Sequence, residues 1–222
     1  MLFRSGPGDP ELMTVKAWRL ISTADVIAYL CANGKDSTAR DIAKPFIAES
    51  TTEIAIDMPM RVEREPSEAA YDRGAVAIAA KLDAGKDVVM LCEGDPFFYG
   101  SFMYIFERLS SKYKTIVVPG VTSITAAAAA IGQPLVARND VLKVLPATLP
   151  EDKLHFELAM SQAVAIIKVG RHFGKVKLIL AELGLLSKAT AIENATHDNE
   201  KITLVENRSE ERRVGKECLG LC

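Results

Sequence analysis

The sequence has no apolar run long enough to cross a membrane. Its longest apolar runs, residues 75–80 and 126–131, are far shorter than the roughly 18 residues that a membrane-spanning helix needs. The N-terminal segment also lacks the apolar stretch of a secretory signal, because a turn rich in glycine and proline already begins at Gly6. These absences predict a protein that is neither inserted in a membrane nor secreted, and we expect a cytoplasmic location.

An excess of charge of one sign is missing too. Lys and Arg total 27 against 29 Asp and Glu, which gives a net charge of −2 and no chain-wide field that would attract nucleic acid. Hydrophobic residues make up 49% of the 222 residues and charged residues 25%, as in folded globular proteins. We therefore expect a folded enzyme or binding protein without a nucleic-acid partner.

Metal ligands and several familiar catalytic motifs are also lacking. The histidines stand at positions 155, 172 and 197 and the cysteines at 31, 92, 218 and 222, with neither the spacing of a metal site nor a C-x-x-C pair. The chain contains no G-x-G-x-x-G, P-loop, H-E-x-x-H or G-x-S-x-G sequence. These absences predict no metal site, and they disfavour a Rossmann oxidoreductase, a P-loop kinase and an α/β-hydrolase.

Short β-branched apolar segments alternate with longer segments of helical period. This alternation predicts an α/β fold in which crossover helices cover a mostly parallel sheet. The predicted strands are residues 26–29, 54–56, 88–91, 116–118, 141–145, 164–169, 190–192 and 202–205. The predicted helices are residues 14–23, 67–84 with Ser67 as the N-cap, 102–109, 122–131, 152–160 and 173–183.

The turn at Pro119-Gly120 is the best candidate for a domain boundary, because a predicted strand ends there and an alanine-rich helix follows. We predict an N-terminal α/β domain over residues 1–119 and a C-terminal α/β domain over residues 120–206. Residues 207–222 contain a charged run and no strand period, so we expect a tail without a packed role.

Three turns are candidate ligand sites because each is predicted to follow a strand at its carboxyl end, where open α/β sheets bind ligands. They are residues 6–10 (Gly-Pro-Gly-Asp-Pro), 93–100 (Glu-Gly-Asp-Pro-Phe-Phe-Tyr-Gly) and 119–123 (Pro-Gly-Val-Thr-Ser). Each turn also has a plainer interpretation: an aspartate cap in the first, core aromatics with solvated acids in the second, and helix-capping hydroxyls in the third.

Taken in order, residues 6–14, 24–29, 93–100 and 118–123 resemble the tetrapyrrole methylases, the S-adenosylmethionine-dependent enzymes of cobalamin and sirohaem biosynthesis. Within that family, residues 91–104, 144–150 and 168–172 are most similar to the precorrin-2 C20-methyltransferase branch. The resemblance extends from about Gly6 to Val205. Relatives begin with a fuller strand and continue past that point with further strands, so it implies a shortened C-terminal domain and a tail, residues 207–222, outside the family pattern.

The resemblance implies two α/β domains with S-adenosylmethionine in the cleft between them, and a homodimer. Carried over position by position, it implies cofactor contacts at Pro7, Glu93, Gly94, Asp95, Phe98, Thr122, Ser123, Val169 and Ala195. A tetrapyrrole with many carboxylates would need local cations, for which the candidates are Arg138, Lys168, Arg171 and His172. Leu30 stands where sirohaem-type relatives have an aspartate, so no catalytic residue is assigned.

The resemblance therefore implies an S-adenosylmethionine-dependent methyltransferase that methylates precorrin-2, or its cobalt form, at C20. Two alternatives stay open. One is a methyltransferase of the same fold with a different substrate, and the other is an inactive, truncated module that only binds the cofactor.

Overall fold

The computed structural model describes residues 2–3, 7–32, 37–59, 64–208 and 217–221. By its internal contacts the chain divides into two compact units, Met1–Thr122 and Ser123–Cys222. Each unit contains one β-sheet with its own helices and its own core. In the described part of the chain, no helix combines the length and apolar character that crossing a membrane requires.

The first unit is built on a four-stranded sheet in which every pairing is parallel. Its strands are β1 (Leu2–Phe3), β2 (Val26–Ala32), β3 (Thr52–Met58) and β4 (Val88–Met90), in the order β1-β4-β2-β3. The helices are α1 (Val15–Ser22), α2 (Thr38–Ala43), α3 (Arg64–Asp83) and α4 (Phe102–Leu109).

Both faces of this sheet are buried, as the side-chain alternation of β2 shows. Val26 and Ala28 belong to one core cluster with Phe102 of α4, whereas Ile27 belongs to a second cluster with Ile21 of α1. A parallel sheet covered by helices on both faces has this pattern of nearly continuous apolar strands. Because the strands are fixed from both sides, the loops that follow them start from a rigid edge.

The second unit contains a five-stranded mixed sheet. Its strands are β5 (Leu142–Pro146), β6 (Ala163–Ile167), β7 (Ala189–Glu193), β8 (Lys201–Leu204) and β9 (Glu217–Leu221), in the order β5-β6-β9-β7-β8. Only β5 and β6 pair in parallel, and the other three pairings are antiparallel. The helices are α5 (Ser123–Ile131), α6 (Glu151–Ala159) and α7 (Phe173–Glu182).

A single core cluster holds the second unit together. Leu154 of α6, Ile166 of β6, and Ile179 and Leu180 of α7 are almost completely buried in it. Burying one such aliphatic side chain contributes about 1.5–3 kcal/mol, so the cluster is the main source of this unit's stability. It also packs Val169, which follows β6, and thereby anchors the next loop from below.

The structure corrects four expectations from the sequence. Residues 116–118 form no strand: Val118 is buried against the first unit's core, but its backbone does not pair in a sheet. Helix α3 begins at Arg64, so Ser67 lies inside the helix and is not its N-cap. The second sheet is mixed because β9 inserts antiparallel between β6 and β7.

The fourth correction concerns the tail. The expectation that residues 207–222 have no packed role is wrong for Glu217–Leu221, which form β9. Arg208 is also packed, since its side chain is nearly buried against Glu193. Strand pairing on both sides compensates for the weak apolar pattern of this segment, which contains Gly220 and one charged residue.

Candidate functional site

Two of the candidate turns lie at one edge of the first sheet. Strands β1 and β4 are parallel neighbours, with Leu2 opposite Val89 and Phe3 opposite Met90. Their carboxyl ends therefore meet at the same edge, and the segments that follow them contain Pro7 and Glu93. This is the edge at which open α/β sheets bind ligands.

The carboxylate of Asp95 joins the second and third candidate turns. One oxygen, Oδ1, accepts a hydrogen bond from the backbone N–H of Phe97 at 3.0 Å, and Oδ2 accepts one from Gly120 at 2.7 Å. The second bond spans 25 positions of the chain and holds the segment after Val118 against the loop after β4. Asp95 thus braces both loops, and each of its oxygens already carries a backbone amide.

The loop after β4 contains two positions at which the backbone conformation or a close contact favours glycine. Gly94 has φ of 63°, in the left-handed region that favours glycine. A Cβ on Gly100 would lie 3.0 Å from the carbonyl oxygen of Pro96, closer than such contacts normally come. Tyr99, without a glycine's freedom, is also left-handed at φ of 55°. This loop is therefore strained as well as braced, and such strain is typical of binding sites.

The aromatic residues of this loop lie at or near the surface, and Phe97 packs against helix α4, which follows the loop. Phe102 is fully buried, whereas Phe97 is 50% exposed and packs its ring against those of Phe102 and Phe106, with centroids 5.7 and 5.0 Å away. Phe98 is half-buried and meets Tyr99 edge-on at 5.2 Å. Tyr99 is also exposed, at 41%, so the interpretation of the three loop aromatics as core residues is wrong for Phe97 and Tyr99.

The remaining candidates of the first and third turns lie near the starts of helices. Asp9 caps a short 3-10 helix, Pro10–Leu12, because its Oδ1 accepts the Glu11 amide at 2.8 Å. This is the capping role that the plainer interpretation assigned to it. Pro7 and Thr122 are half-buried, and Ser123 is the first residue of α5 in the second unit.

In the second unit, the loops after β6 and β7 share one sheet edge. Strand β9 is antiparallel to both, so β6 and β7 run in the same direction and end on the same side. The loop after β6 contains Val169, Lys168, Arg171 and His172, and the loop after β7 contains Ala195. The structure therefore groups two predicted cofactor residues with three predicted substrate residues at this edge.

Side chains at this edge differ in what they offer a ligand. Val169 is fully buried, so a ligand could meet only its backbone, whereas Lys168 and Arg171 are exposed. A Cβ on Gly170 would have no heavy atom within 4 Å, which leaves open space beside that backbone. Arg138 is not grouped with them: it lies in the turn before the first residue of β5, where Asp140 Oδ2 accepts the Ala137 amide at 3.0 Å.

The surroundings of His172 disfavour the charged form of its imidazole. Burial lowers its pKa below the ordinary 6.5, and the charges of Lys175 and Arg171 lower it further. A bound polyanion would offset the two neighbouring positive charges and so favour its protonation.

Sequence reasoning missed Arg208 at this edge. Its guanidinium pairs with Glu193, the last residue of β7, at 3.1 Å, and both side chains are nearly buried. In the sequence Arg208 precedes a charged run, and charged runs usually indicate a solvated surface. No pattern of residue types distinguishes a buried arginine in such a run from an exposed one.

We predict that Asp95→Ala loosens both first-unit loops. Two backbone amides lose a charged acceptor. The bond to Phe97 is exposed and the bond to Gly120 is partly buried, so the second should account for most of the loss, about 1.5–3 kcal/mol. Differential scanning calorimetry should show a lower melting temperature for the first unit. Asp95→Asn, which retains one carbonyl acceptor, should fall between the wild type and Asp95→Ala.

A matched control for Asp95 is available at the opposite edge of the same sheet. Asp25 precedes β2 and accepts the Asp87 amide at 2.9 Å through Oδ2, so Asp25→Ala also removes a long-range carboxylate brace. Both alanine variants should be destabilised, but only Asp95→Ala should weaken binding of S-adenosylhomocysteine. Equal affinities of the two variants would contradict a ligand site at the Asp95 loops.

Comparison with known proteins agrees with this geometry. A model of the family "Tetrapyrrole (Corrin/Porphyrin) Methylases" matches residues 5–209. The chain is 42% identical over 206 residues to the cobalamin biosynthesis protein CobIJ of Mycobacterium tuberculosis, a match that covers 89% of this chain and 40% of that protein. The chain thus spans two fifths of the length of that relative.

Shorter relatives match over most of their length. Precorrin-2 C(20)-methyltransferase of a Sinorhizobium species is 36% identical over 215 residues, 93% of this chain and 88% of the relative. Cobalt-precorrin-2 C(20)-methyltransferase of Salmonella typhimurium is 31% identical over 198 residues, 89% of this chain and 84% of the relative.

Solved structures of similar fold agree with the expected fold class. The cobalt precorrin-4 methyltransferase CbiF superposes with a TM-score of 0.74 at 25% identity, covering 99% of this chain and 93% of CbiF. Uroporphyrin-III C-methyltransferase of Thermus thermophilus, solved with S-adenosylhomocysteine, gives a TM-score of 0.69 at 23% identity over 98% of this chain and 95% of that one. The expected fold class is confirmed, and the chain belongs to the tetrapyrrole methylases, which use S-adenosylmethionine as their methyl donor.

Proposed function

We propose that this protein transfers a methyl group from S-adenosylmethionine to C20 of precorrin-2 or of its cobalt form. The proposal rests mainly on two relatives whose names state this activity. The chain matches each of them over more than four fifths of the relative's length. Because the longer CobIJ proteins and the CbiF fold are also similar, the choice of substrate needs its own test.

The first-unit edge fits the cofactor by its geometry. S-adenosylmethionine presents polar groups at both ends, and Gly94 and Gly120, which carry no side chain, would let it approach the backbone of these loops. Glu93 adds a carboxylate that suits a hydroxyl or ammonium group. We propose that the cofactor contacts Pro7, Glu93, Gly94, Asp95, Phe98, Thr122 and Ser123.

The second-unit loops contribute further contacts in this proposal. Val169 contributes only backbone, because its side chain is in the core, and Ala195 is small enough for close approach. The open space beside Gly170 is consistent with a ligand lying against this loop.

The bound cofactor supplies an electrophilic methyl group on a sulfonium, and the protein's task is to orient the acceptor carbon and exclude water. A carboxylate directly beside the sulfonium would stabilise the charged reactant more than the transition state. Asp95 does not present such a charge freely, since backbone amides occupy both oxygens. We assign no catalytic residue.

Recognition of the substrate requires cations, because precorrin-2 is a polycarboxylate. Lys168 and Arg171 are exposed on the loop after β6, and His172 follows them. We propose that these three residues bind substrate carboxylates, while Arg138 would have to act from the separate turn before β5. We further propose a homodimer, which sedimentation of the purified protein would test.

The decisive experiment is incubation with methyl-labelled S-adenosylmethionine and either precorrin-2 or cobalt-precorrin-2, followed by location of the label. We expect label at C20 and a change in the visible spectrum. Label at another carbon, or transfer only to a different tetrapyrrole, would identify a different substrate. Cofactor binding without transfer to any tetrapyrrole would support the inactive binding module.

We predict that Lys168→Gln combined with Arg171→Gln weakens tetrapyrrole binding by about tenfold or more and leaves cofactor binding nearly unchanged. The substrate is the polyanion, and one charge-assisted contact contributes roughly 1.5–3 kcal/mol. Fluorescence titration with the tetrapyrrole and calorimetry with S-adenosylhomocysteine measure the two affinities. The loss should shrink with added salt, because salt screens exposed ionic contacts.

The control for this double variant removes the same charge elsewhere. Lys112 and Lys188 are exposed, and Lys188 immediately precedes β7, at the opposite end of that strand from Ala195. Lys112→Gln combined with Lys188→Gln should leave both affinities unchanged. If this control weakens substrate binding equally, net charge and not the β6 loop attracts the substrate.

A further inference from the structure

The loops after β6 and β7 are strained. Among the residues that the structure describes, five that are not glycine have φ between 49° and 67°, and Lys168, Asn194 and Thr196 in these two loops are three of them. Left-handed backbone costs an ordinary residue free energy, most of all a β-branched one such as Thr196. Such conformations persist only where the surrounding structure holds them.

Arg208 contacts the attachment points of both loops. Its Nη2 lies 3.1 Å from Oε1 of Glu193, and its guanidinium carbon lies 4.4 Å from the centre of the Phe173 ring. Glu193 immediately precedes the loop after β7, and Phe173 immediately follows the loop after β6. One side chain therefore links the two loops through a planar group that contacts both partners at once.

The ion pair between Arg208 and Glu193 is shielded from water, and the backbone of Arg208 is held by a further hydrogen bond. The side chains of Arg208 and Glu193 are 11% and 12% exposed. The ammonium group of Lys177 in α7 donates a hydrogen bond to the carbonyl oxygen of Arg208, which fixes the arginine's backbone as well. An ion pair in this position keeps a defined geometry, because few water molecules can compete for either partner.

Stability alone is a poor explanation for the pair. Apolar side chains of similar size often stabilise a protein interior as well as a buried ion pair does, because both ions lose their hydration. The charged pair adds a defined geometry. Because the Arg208 guanidinium lies over the Phe173 ring and pairs with the Glu193 carboxylate, it fixes the distance between Phe173 and Glu193. That distance sets where the backbones of the two strained loops lie.

We propose that Arg208 is a positioning residue for the cofactor, acting through Glu193 and Phe173 on the loops around Val169 and Ala195. The inference rests on the proposed function, in which these two loops contact S-adenosylmethionine. Arg208 does not touch the cofactor itself. It holds the loop backbones where the cofactor meets them.

The test is the double variant Arg208→Met with Glu193→Gln, which removes both charges together and so leaves no charge buried without its counter-ion. We expect a melting temperature close to that of the wild type. We expect S-adenosylhomocysteine to bind at least tenfold more weakly by calorimetry. Hydrogen exchange should become faster at residues 168–172 and 194–196 and stay unchanged in the first unit.

The first unit offers a matched control. Arg108 pairs with Glu68 at 2.7 Å and with Asp72 at 2.6 Å, and it lies 5.7 Å from the centre of the Tyr71 ring, so it also combines ion pairing with an aromatic contact. These residues lie within α3 and α4 and belong to no candidate loop. Arg108→Met with Glu68→Gln should leave the S-adenosylhomocysteine affinity unchanged.

Native affinity and native exchange in the Arg208 double variant would overturn the inference. If that variant does not fold, the single variant Arg208→Lys serves as the test. Faster hydrogen exchange in the two loops together with weaker S-adenosylhomocysteine binding would support the positioning role. Wild-type exchange and wild-type affinity would overturn it. Failure of the wild type to bind S-adenosylhomocysteine would contradict the proposed function and the inference with it. Cofactor binding without C20 methylation would contradict only the substrate assignment.

Discussion

Gly94→Val should abolish cofactor binding, with S-adenosylhomocysteine affinity lowered by about a hundredfold or more, near 2.7 kcal/mol. Gly94 lies in the loop that Asp95 braces, where we propose that the cofactor meets the backbone directly. A branched side chain would occupy that space, and it would also strain the backbone, because φ at this position is 63°. Calorimetric titration of the purified variant measures the loss.

The strain has to be separated from the loss of space. Gly85, at the end of α3, has φ of 74° and no heavy atom within 4 Å of an added Cβ, so Gly85→Val imposes comparable strain in an open position. Both variants should be destabilised by similar amounts, and only Gly94→Val should lose the cofactor. Gly94→Ala and Gly85→Ala form a milder pair with the same expected contrast.

Retention of native affinity by Gly94→Val would remove the loop after β4 from the cofactor site. Loss of affinity in both valine variants would instead mean that the first unit had unfolded. In that case the alanine pair, which introduces less strain, would decide between the two explanations.

The periodicity of the sequence predicts most of this fold, because apolar spacing reflects burial directly. Seven of the eight predicted strands are present, and the helices from α3 to α7 begin within about three residues of their predicted starts. Residues 116–118 show the limit of this signal. Val118 is buried as its pattern indicates, but burial does not specify whether a backbone finds a neighbouring strand.

Local sequence is least informative where distant partners determine the structure. Helix α2 has only six residues, too few to show an extended apolar period. It is stabilised instead by its N-cap at Ser37 and by its packing against β2. The role of Asp95 as a brace depends on an amide 25 positions away. The burial of Arg208 depends on Glu193 and Phe173, which no local pattern connects to it.

The candidate site, too, is predicted in part by local sequence and in part determined by contacts between distant residues. The sequence indicates which turns follow strands, and the structure places Pro7 and Glu93 at one sheet edge and Lys168, Arg171 and Ala195 at another. It separates Arg138 from the other predicted substrate residues, because that turn precedes a strand and does not follow one. The distinction comes from sheet topology and not from residue type.

Leu219→Pro should destabilise the second unit by about 3 kcal/mol or more. Leu219 lies opposite both Ile166 of β6 and Ala191 of β7, in a strand paired on both sides. Proline cannot donate the ladder hydrogen bond and is found in sheets almost only at edges, so a central position is among the least tolerant. At roughly 2–4 °C per kcal/mol, the melting temperature should fall by about 6–12 °C.

Leu219→Val is the control, because valine keeps the backbone N–H and favours strands. It should melt close to the wild type, while Leu219→Pro should also expose the facing edges of β6 and β7 and promote aggregation. Those edges carry the loops with Lys168 and Ala195, so the proline variant should lose cofactor affinity as well as stability. An unchanged melting temperature for Leu219→Pro would mean that Glu217–Leu221 contribute nothing to the sheet, and that β6 and β7 are held in place by the core around Ile166 and Leu180 alone.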